Sequence, residues 1–209
     1  MRFDLETIDA MTGYRLLTAT VTPRPIAWIT TRSRAGVVNA APYSFFNVMG
    51  HTPPTVAIGL LADPVKGFKD SARNILETGD FVVNLVTEEL AAAMNLTSID
   101  APAEVNELEL AGLTAAESAH VRPPRIGESP VSLECRNLSS VVTGPHQTVV
   151  IGRVLAIHVA DALVLDPARG HVDSPALGTI GRMHGAGWYT RTADRFQLDR
   201  PAWATRARD

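Results

Sequence analysis

One cysteine, Cys135, is present in 209 residues, so no intrachain disulfide forms and a secreted cysteine framework is excluded. Long apolar runs are missing as well. None approaches the roughly 20 residues of a membrane-spanning helix, and Met1-Arg-Phe-Asp-Leu-Glu lacks the apolar core of a signal peptide. The expected location is the cytoplasm, where the sequons Asn95-Leu-Thr and Asn137-Leu-Ser carry no meaning. An excess of positive charge is lacking too. A net charge of -3 and a pI near 6.1 leave no electrostatic footprint for nucleic acid or an anionic membrane.

Several catalytic signatures are absent. There is no Gly-x-x-x-x-Gly-Lys phosphate loop, no Gly-x-Ser-x-Gly nucleophile elbow and no Gly-x-Gly-x-x-Gly opening a strand–helix unit. Gly181-Arg-Met-His-Gly-Ala-Gly187 looks superficially dinucleotide-like, but it lies late and has no βαβ context. The six histidines are scattered without ligand spacing, so no metal site is expected. Cys135 reads as a small buried hydrophobe, with only Arg136 nearby to favour a thiolate.

What remains is an ordinary core-forming composition, 45% apolar and 20% charged, in a chain able to bury about 70% of its unfolded surface. No repeat or boundary divides residues 1–209. The expectation is one domain, with a Gly-, Asp- and Arg-rich tail from about 161 to 209 packing on it or on a partner. Pro25–Thr31 reads as a strand, Ser33–Gly36 as a hairpin turn and Val37–Tyr43 as the return strand. Thr55–Leu61 is a third strand.

Asp70–Thr78 reads as a helix, with Ala72, Ile75 and Leu76 on one face and Gly79 as its C′ residue. Phe81–Val86 is apolar on both faces, like a central strand. Thr87 is expected to cap a second helix, with Glu88 and Glu89 in its first turn and Leu90 to Leu96 completing it. Residues 97–128 show little periodicity; they carry short elements or pack across a partner. Pro130–Val142 and Gln147–Val159 form a strand pair. In the latter, Val149, Ile151, Leu155, Ile157 and Val159 alternate onto one face together with Arg153, and Gly152 suggests a bulge that turns the arginine outward. Strands outnumber helices, and the helices do not alternate with them. A mainly β, antiparallel barrel with peripheral helices is therefore expected.

Two stretches carry chemistry. Asn39-Ala-Ala-Pro-Tyr-Ser-Phe-Phe-Asn47 packs small residues, amides, hydroxyls and aromatics between two strands. It reads either as a strand end whose Phe45 and Phe46 fill the core, or as a wall approached closely by a flat, polar-edged ring. Phe68-Lys-Asp-Ser-Ala-Arg-Asn74 opens a helix with a cation, a hydroxyl and an amide. It reads either as an ordinary surface helix or as a phosphate site built on free backbone N–H groups. Together they suggest an anionic, partly aromatic ligand.

The order of Pro23-Arg-Pro-Ile-Ala-Trp28, Asn39–Asn47, Pro53-Pro54, Lys69-Asp-Ser-Ala-Arg-Asn-Ile75 and Gly79-Asp-Phe-Val-Val-Asn-Leu85 resembles the flavin reductase-like, flavoredoxin-type family of the FMN-binding split-barrel superfamily. The likeness continues through Met94-Asn95, Ala111-Gly-Leu113, Pro130–Cys135, Val150-Ile-Gly-Arg-Val154 and Gly187-Trp-Tyr-Thr-Arg191, covering roughly residues 10–200. The resemblance implies a split β-barrel forming a homodimer, with FMN at the interface. On that analogy Trp28, Thr30, Thr31 and Asn39, Ala40, Ala41, Pro42, Tyr43, Ser44, Phe45 and Phe46 line the flavin. Lys69, Asp70, Ser71 and Asn74 surround its phosphate, and Tyr189 and Arg191 close the site. Gly181-Arg-Met-His-Gly-Ala-Gly-Trp-Tyr189 departs from the Gly-Gly-x-Tyr-like turn of the family.

The implied activity is hydride transfer from NADH or NADPH to flavin N5 and on to an acceptor such as free flavin, a partner oxygenase or another small molecule. The alternatives are an FMN-holding electron carrier reduced by a partner protein, and a non-redox ligand-binding module on the same barrel. The cofactor carries such chemistry, so no catalytic residue is named.

Overall fold

The computed structural model describes residues 1–63 and 67–203. In chain order its elements are α1 (Ala10–Thr20), β1 (Arg24–Pro25), β2 (Ala27–Arg32), β3 (Val38–Tyr43), β4 (Phe46–His51), β5 (Pro54–Asp63), β6 (Gly67–Phe68), α2 (Asp70–Thr78) and β7 (Asp80–Asn84). There follow α3 (Ala91–Leu96), α4 (Glu107–Leu110), β8 (Ala115–Ala116), β9 (Arg125–Ile126), β10 (Val131–Gly144), β11 (Gln147–Val159), β12 (Val164–Asp166), β13 (His171–Val172), β14 (Ile180–Arg182) and β15 (Tyr189–Arg191).

The main sheet runs β3-β2-β7-β10-β11-β5-β4, with β6 added to β5, and every neighbouring pair is antiparallel. Its end strands β3 and β4 do not pair with each other, so the barrel is split rather than closed. The β2–β3 hairpin turns at Gly36, whose φ of 91° is the positive value that glycine adopts without strain. Pro42 lies on β3, an end strand, where the missing N–H breaks no interior ladder.

Strands β2 and β7 separate two apolar layers. Ala27, Ile29, Phe81 and Val83 face a core closed by Ala72 and Ile75 of α2 and by Ile58, Leu60 and Val150 across the barrel. On the other face Trp28, Val38 and Ala40 pack with Met94 of α3, Leu108 of α4 and Ile126 of β9. All five residues of β7 are buried, as a central strand covered on both sides requires. Helix α2 ends at Gly79 (φ 81°), whose N–H returns to the Ile75 carbonyl at 2.9 Å.

Several expectations need correction. The N-terminal region contains α1, capped by Asp9, whose Oδ1 accepts from Thr12 N at 2.9 Å. Residues 46–51 form strand β4, where no strand is expected from the sequence. Leu76 of α2 is exposed. The helix expected to start at Glu88 begins at Ala91; Thr87 Oγ1 accepts from Leu90 N at 3.4 Å, just ahead of it.

Residues 97–128 carry short elements, the first of the two readings of that segment. They carry α4, β8 and β9 and pack on this chain's own sheet: Thr30 Oγ1 donates to the Pro124 carbonyl at 2.5 Å, and Ile126 N to Asn84 Oδ1 at 3.0 Å. The buried face of β11 is Thr148, Val150 and Gly152, opposite to the alternation expected from the sequence. The extra residue at Gly152 belongs to β10, where the register jumps from Asn137 to Ser139, and Arg153 is exposed. Gly152 is needed for space: a Cβ there would lie 2.4 Å from Phe81 Cζ. In the tail, β14 pairs with β1 and β15, while Phe196, Leu198 and Trp203 are almost fully exposed.

Candidate functional site

The two segments singled out in the sequence meet. Asn39 Nδ2 on β3 donates to Ser71 Oγ on α2 at 2.7 Å, and the Tyr43 phenol shares a hydrogen bond with the same hydroxyl. Asn74 Nδ2 donates to Thr31 Oγ1 at 3.0 Å, fastening α2 to β2 one turn further on. A cavity of about 310 Å³ opens beside this joint. Asn39, Ala41, Pro42 and Tyr43 form one wall of it, and Lys69, Asp70 and Ser71 another. The third wall is the segment from Thr97 to Ala103, with Glu107 beside it.

The electrostatics of this cavity are uneven. No side chain caps the N-terminus of α2, so its first-turn N–H groups and the positive end of the helix dipole face the cavity from the Lys69–Ser71 wall. Asp70 is neutralised by Arg73. Lys69 is exposed and makes no ion pair among the described residues. Glu107 is buried; its Oε2 accepts from Ala40 N at 3.0 Å, and burial pushes its carboxyl up despite that bond. Burial also pushes the Tyr43 phenol up to about 12, with the Ser71 hydrogen bond opposing, so the ring stays neutral. A neutral phenol and small side chains on one wall, with backbone donors, a hydroxyl and a cation on the other, suit a planar ligand carrying an anionic group.

A second cavity, of about 440 Å³, shares Pro42, Tyr43 and Ser98 with the first. Ser44 and Tyr189 line it, together with Tyr14 and Arg15 of α1. The remaining residues expected at the site line neither cavity. Trp28 is fully buried and donates from Nε1 to Thr97 Oγ1 at 2.9 Å, anchoring the third wall from behind. Thr30, Thr31 and Asn74 are buried with their polar atoms engaged inside the protein. Ala40 and Phe46 belong to the two apolar layers, and Phe45 packs against Tyr14 with ring centroids 6.1 Å apart. Arg191 points to Glu88, with Nε to Oε2 at 2.6 Å and a second contact from Nη2 to Oε1.

Sequence reasoning missed Glu107, the 97–103 wall and the cationic lining of the second cavity. One signal was available. Asn106 precedes an acidic first turn and caps α4, its Oδ1 accepting from Leu108 N at 3.1 Å. Elsewhere, Cys135 is fully buried in the barrel core, and burial, reinforced by Glu134, pushes its thiol up to about 12. Among the described residues no group of three or more His, Cys, Asp or Glu is placed to hold a metal ion, and no helix is long and apolar enough to cross a membrane.

Comparison with known proteins gives the family and the fold. An uncharacterised protein of Deinococcus radiodurans is 43% identical, the match covering 97% of this chain and 90% of that one. The crystal structure of nitrilotriacetate monooxygenase component B from Bacillus cereus superposes with a TM-score of 0.88 at 32% identity, covering 95% of this chain and 98% of that one. The 2-nitrobenzoate 2-nitroreductase of Pseudomonas fluorescens gives the same TM-score and identity over 97% and 98%. The family model for the flavin reductase like domain matches residues 19–174. This chain therefore belongs to the flavin reductase like domain family and is a flavin-related oxidoreductase of split-barrel fold.

Proposed function

We propose that this protein is an FMN-dependent flavin reductase that uses NADH or NADPH and acts as a homodimer in the cytoplasm. One observation carries the reading: the uncapped α2 N-terminus and the Ala41–Tyr43 strand end face a single cavity, held together by the 2.7 Å Asn39–Ser71 bond. When bound, FMN supplies hydride acceptance from the nicotinamide and onward delivery of electrons. The chain's own work is positional. Lys69 and the first-turn N–H groups of α2 hold the phosphate, Ser71 offers its hydroxyl, and Arg73 keeps the Asp70 carboxylate from repelling it. The Ala41–Tyr43 wall brings backbone close to the flat ring because Ala41 is small and Pro42 fixes φ. The Thr97–Ala103 segment, backed by Trp28, excludes water from the opposite side.

Hydride transfer needs near-attack geometry rather than a protein nucleophile. The buried, protonated state of Cys135 is therefore no obstacle. The homodimer is supported by apolar residues exposed on β4, β10 and β11, among them Val48, Met49, Leu138, Val142 and Ile157. Phe196, Leu198 and Trp203 of the tail are what an arm lying on the partner subunit would carry. The similar Bacillus cereus protein is by name one component, component B, of a monooxygenase, which supports a partner oxygenase as acceptor.

Two measurements test this. The FMN-reconstituted protein should show a flavin absorbance spectrum, and the band near 450 nm should bleach on adding NADH or NADPH. Failure to bleach with either, while dithionite bleaches normally, would leave an electron carrier reduced by a partner protein. A haem band, or no flavin retained after titration, would refute the FMN site itself.

A further inference from the structure

The second cavity differs from the first in charge. Three guanidinium groups line it, those of Arg15, Arg24 and Arg182, and none of its described lining residues is acidic. Among the described residues none of the three arginines makes an ion pair. A triple cationic lining in a chain of net charge -3 is not a reflection of average composition.

The three arginines have different duties. Arg24 is buried at 7% exposure, and its Nη1 donates to the carbonyls of Thr18 at 2.7 Å and Val21 at 3.0 Å. Its Nη2 reaches the Met183 carbonyl at 3.0 Å and its Nε the Ser44 hydroxyl at 3.5 Å. Its partners are all neutral, so it contributes a buried positive charge but has one N–H left over. Arg182 lies over the Tyr189 ring with Cζ 4.7 Å from the centroid. That cation–π contact seats the guanidinium on the ring, and among the described residues its N–H groups have no hydrogen-bond partner. Arg15, on α1, is exposed. Tyr14, Tyr43 and Tyr189 with Met11, Ile26 and Met94 give the cavity aromatic and apolar walls, and Thr18, Ser44, Asn95 and Ser98 add neutral polar groups.

We propose that this cavity binds a small aromatic carboxylate. A two-oxygen anion matches the single planar donor edge that Arg182 presents, with Arg15 and the remaining Arg24 N–H in support. An aryl ring suits the tyrosine and methionine walls. The two cavities share Pro42, Tyr43 and Ser98, so such an acid would sit next to the flavin. Its adjacency to FMN rests on the function proposed above, but its binding does not.

The test is calorimetric titration of the purified full chain with benzoate, with benzamide as the neutral probe of the same shape and inorganic phosphate as the alternative anion. Benzoate should bind with one site per chain, and both other probes about tenfold or more weaker, since one charge-assisted bond is worth that factor. Arg182→Met should weaken benzoate about tenfold, and Arg15→Gln should weaken it by a smaller factor. FMN titration by fluorescence is run on the same samples; affinities within about twofold of the unaltered chain show that each variant is folded. The proposal fails if benzoate does not bind, if benzamide or phosphate binds as well as benzoate, or if a folded Arg182→Met variant keeps full benzoate affinity. Loss of FMN binding by every sample, the unaltered chain included, would instead count against the flavin reading, and the benzoate comparison would still decide this one.

Discussion

Replacing Gly152 by alanine asks whether the barrel core is as tightly closed as its geometry states. The added Cβ would lie 2.4 Å from Phe81 Cζ, 3.0 Å from Cε1 and 3.4 Å from Val56 Cγ2. The ring must retreat by about 1 Å to reach ordinary contact distance. It has nowhere to go, because Phe81 has 0% exposure and sits on β7, whose neighbours β2 and β10 pair with it on both sides. Overpacking of this kind costs about 1–3 kcal/mol. For a chain of this length that corresponds to a fall in melting temperature of roughly 2–10 °C. Backbone strain does not enter, since Gly152 has no positive φ.

Urea melts of the unaltered chain, Gly152→Ala, Phe81→Leu and the double variant form the assay. The single alanine variant should shift the midpoint without changing the slope. Phe81→Leu alone leaves a cavity and is also destabilising. The double variant should be more stable than the sum of the two losses predicts, because the smaller side chain makes room for the methyl group. A Gly152→Ala variant as stable as the parent, or strictly additive losses, would refute the steric account.

Three further outcomes are expected. Lys69→Ala combined with Ser71→Ala should weaken FMN about tenfold or more while leaving riboflavin much less affected, because only the former carries the phosphate; equal losses measured by flavin fluorescence would show that these residues do not hold it. Burial pushes the Glu134 carboxyl up, but hydrogen bonds from Ala119 N (2.8 Å), His120 N (2.6 Å) and His158 Nε2 (2.5 Å) outweigh it and hold the group below its usual range. A lowered folded-state pKa gives stability that is complete above the ordinary carboxylate range and lost as pH falls through the folded value. The melting-temperature gap between the parent and Glu134→Gln should therefore be wide at pH 7 and narrow at pH 3.5; the same gap at both would contradict the assignment. Finally, Cys135, buried and pushed up to about 12, should resist thiol reagents at pH 8 until the chain is unfolded, and rapid labelling of the native protein would show the core to be open there.

The sequence carried the barrel strands because β-branched and apolar residues mark a buried pleated surface wherever they fall in order. It carried α2 through a clear apolar pair and Gly79. Helix α1 was hidden by Gly13 and three threonines, and Thr18 and Thr20 return their hydroxyls to the carbonyls of Tyr14 and Leu16 at 2.9 and 2.7 Å. The four residues of α4 are too few to show a period. The inverted face of β11 sets Gly152 against Phe81 of β7, two strands whose separation in sequence no local pattern spans.

At the site, residue types pointed to a ring wall and a phosphate wall, and the Asn39–Ser71 bond joins those two segments. What local reading could not supply was the division between residues that face a cavity and residues that brace it. Trp28, Thr31 and Asn74 brace. Arg24, Glu107 and Arg182 converge on the cavities only through topology.

The Trp28–Thr97 bond also gives the protein a built-in optical reporter. Trp28 is shielded from solvent with its indole N–H bonded behind a cavity wall, whereas Trp188 and Trp203 are 62% and 84% exposed. Emission from the shielded indole lies to the blue of the other two and survives collisional quenchers such as iodide, so the three signals separate without any labelling. A bound isoalloxazine absorbs where tryptophan emits. The shielded component should therefore darken through energy transfer as the neighbouring cavity fills, which turns a residue that only braces the wall into a gauge of its occupancy.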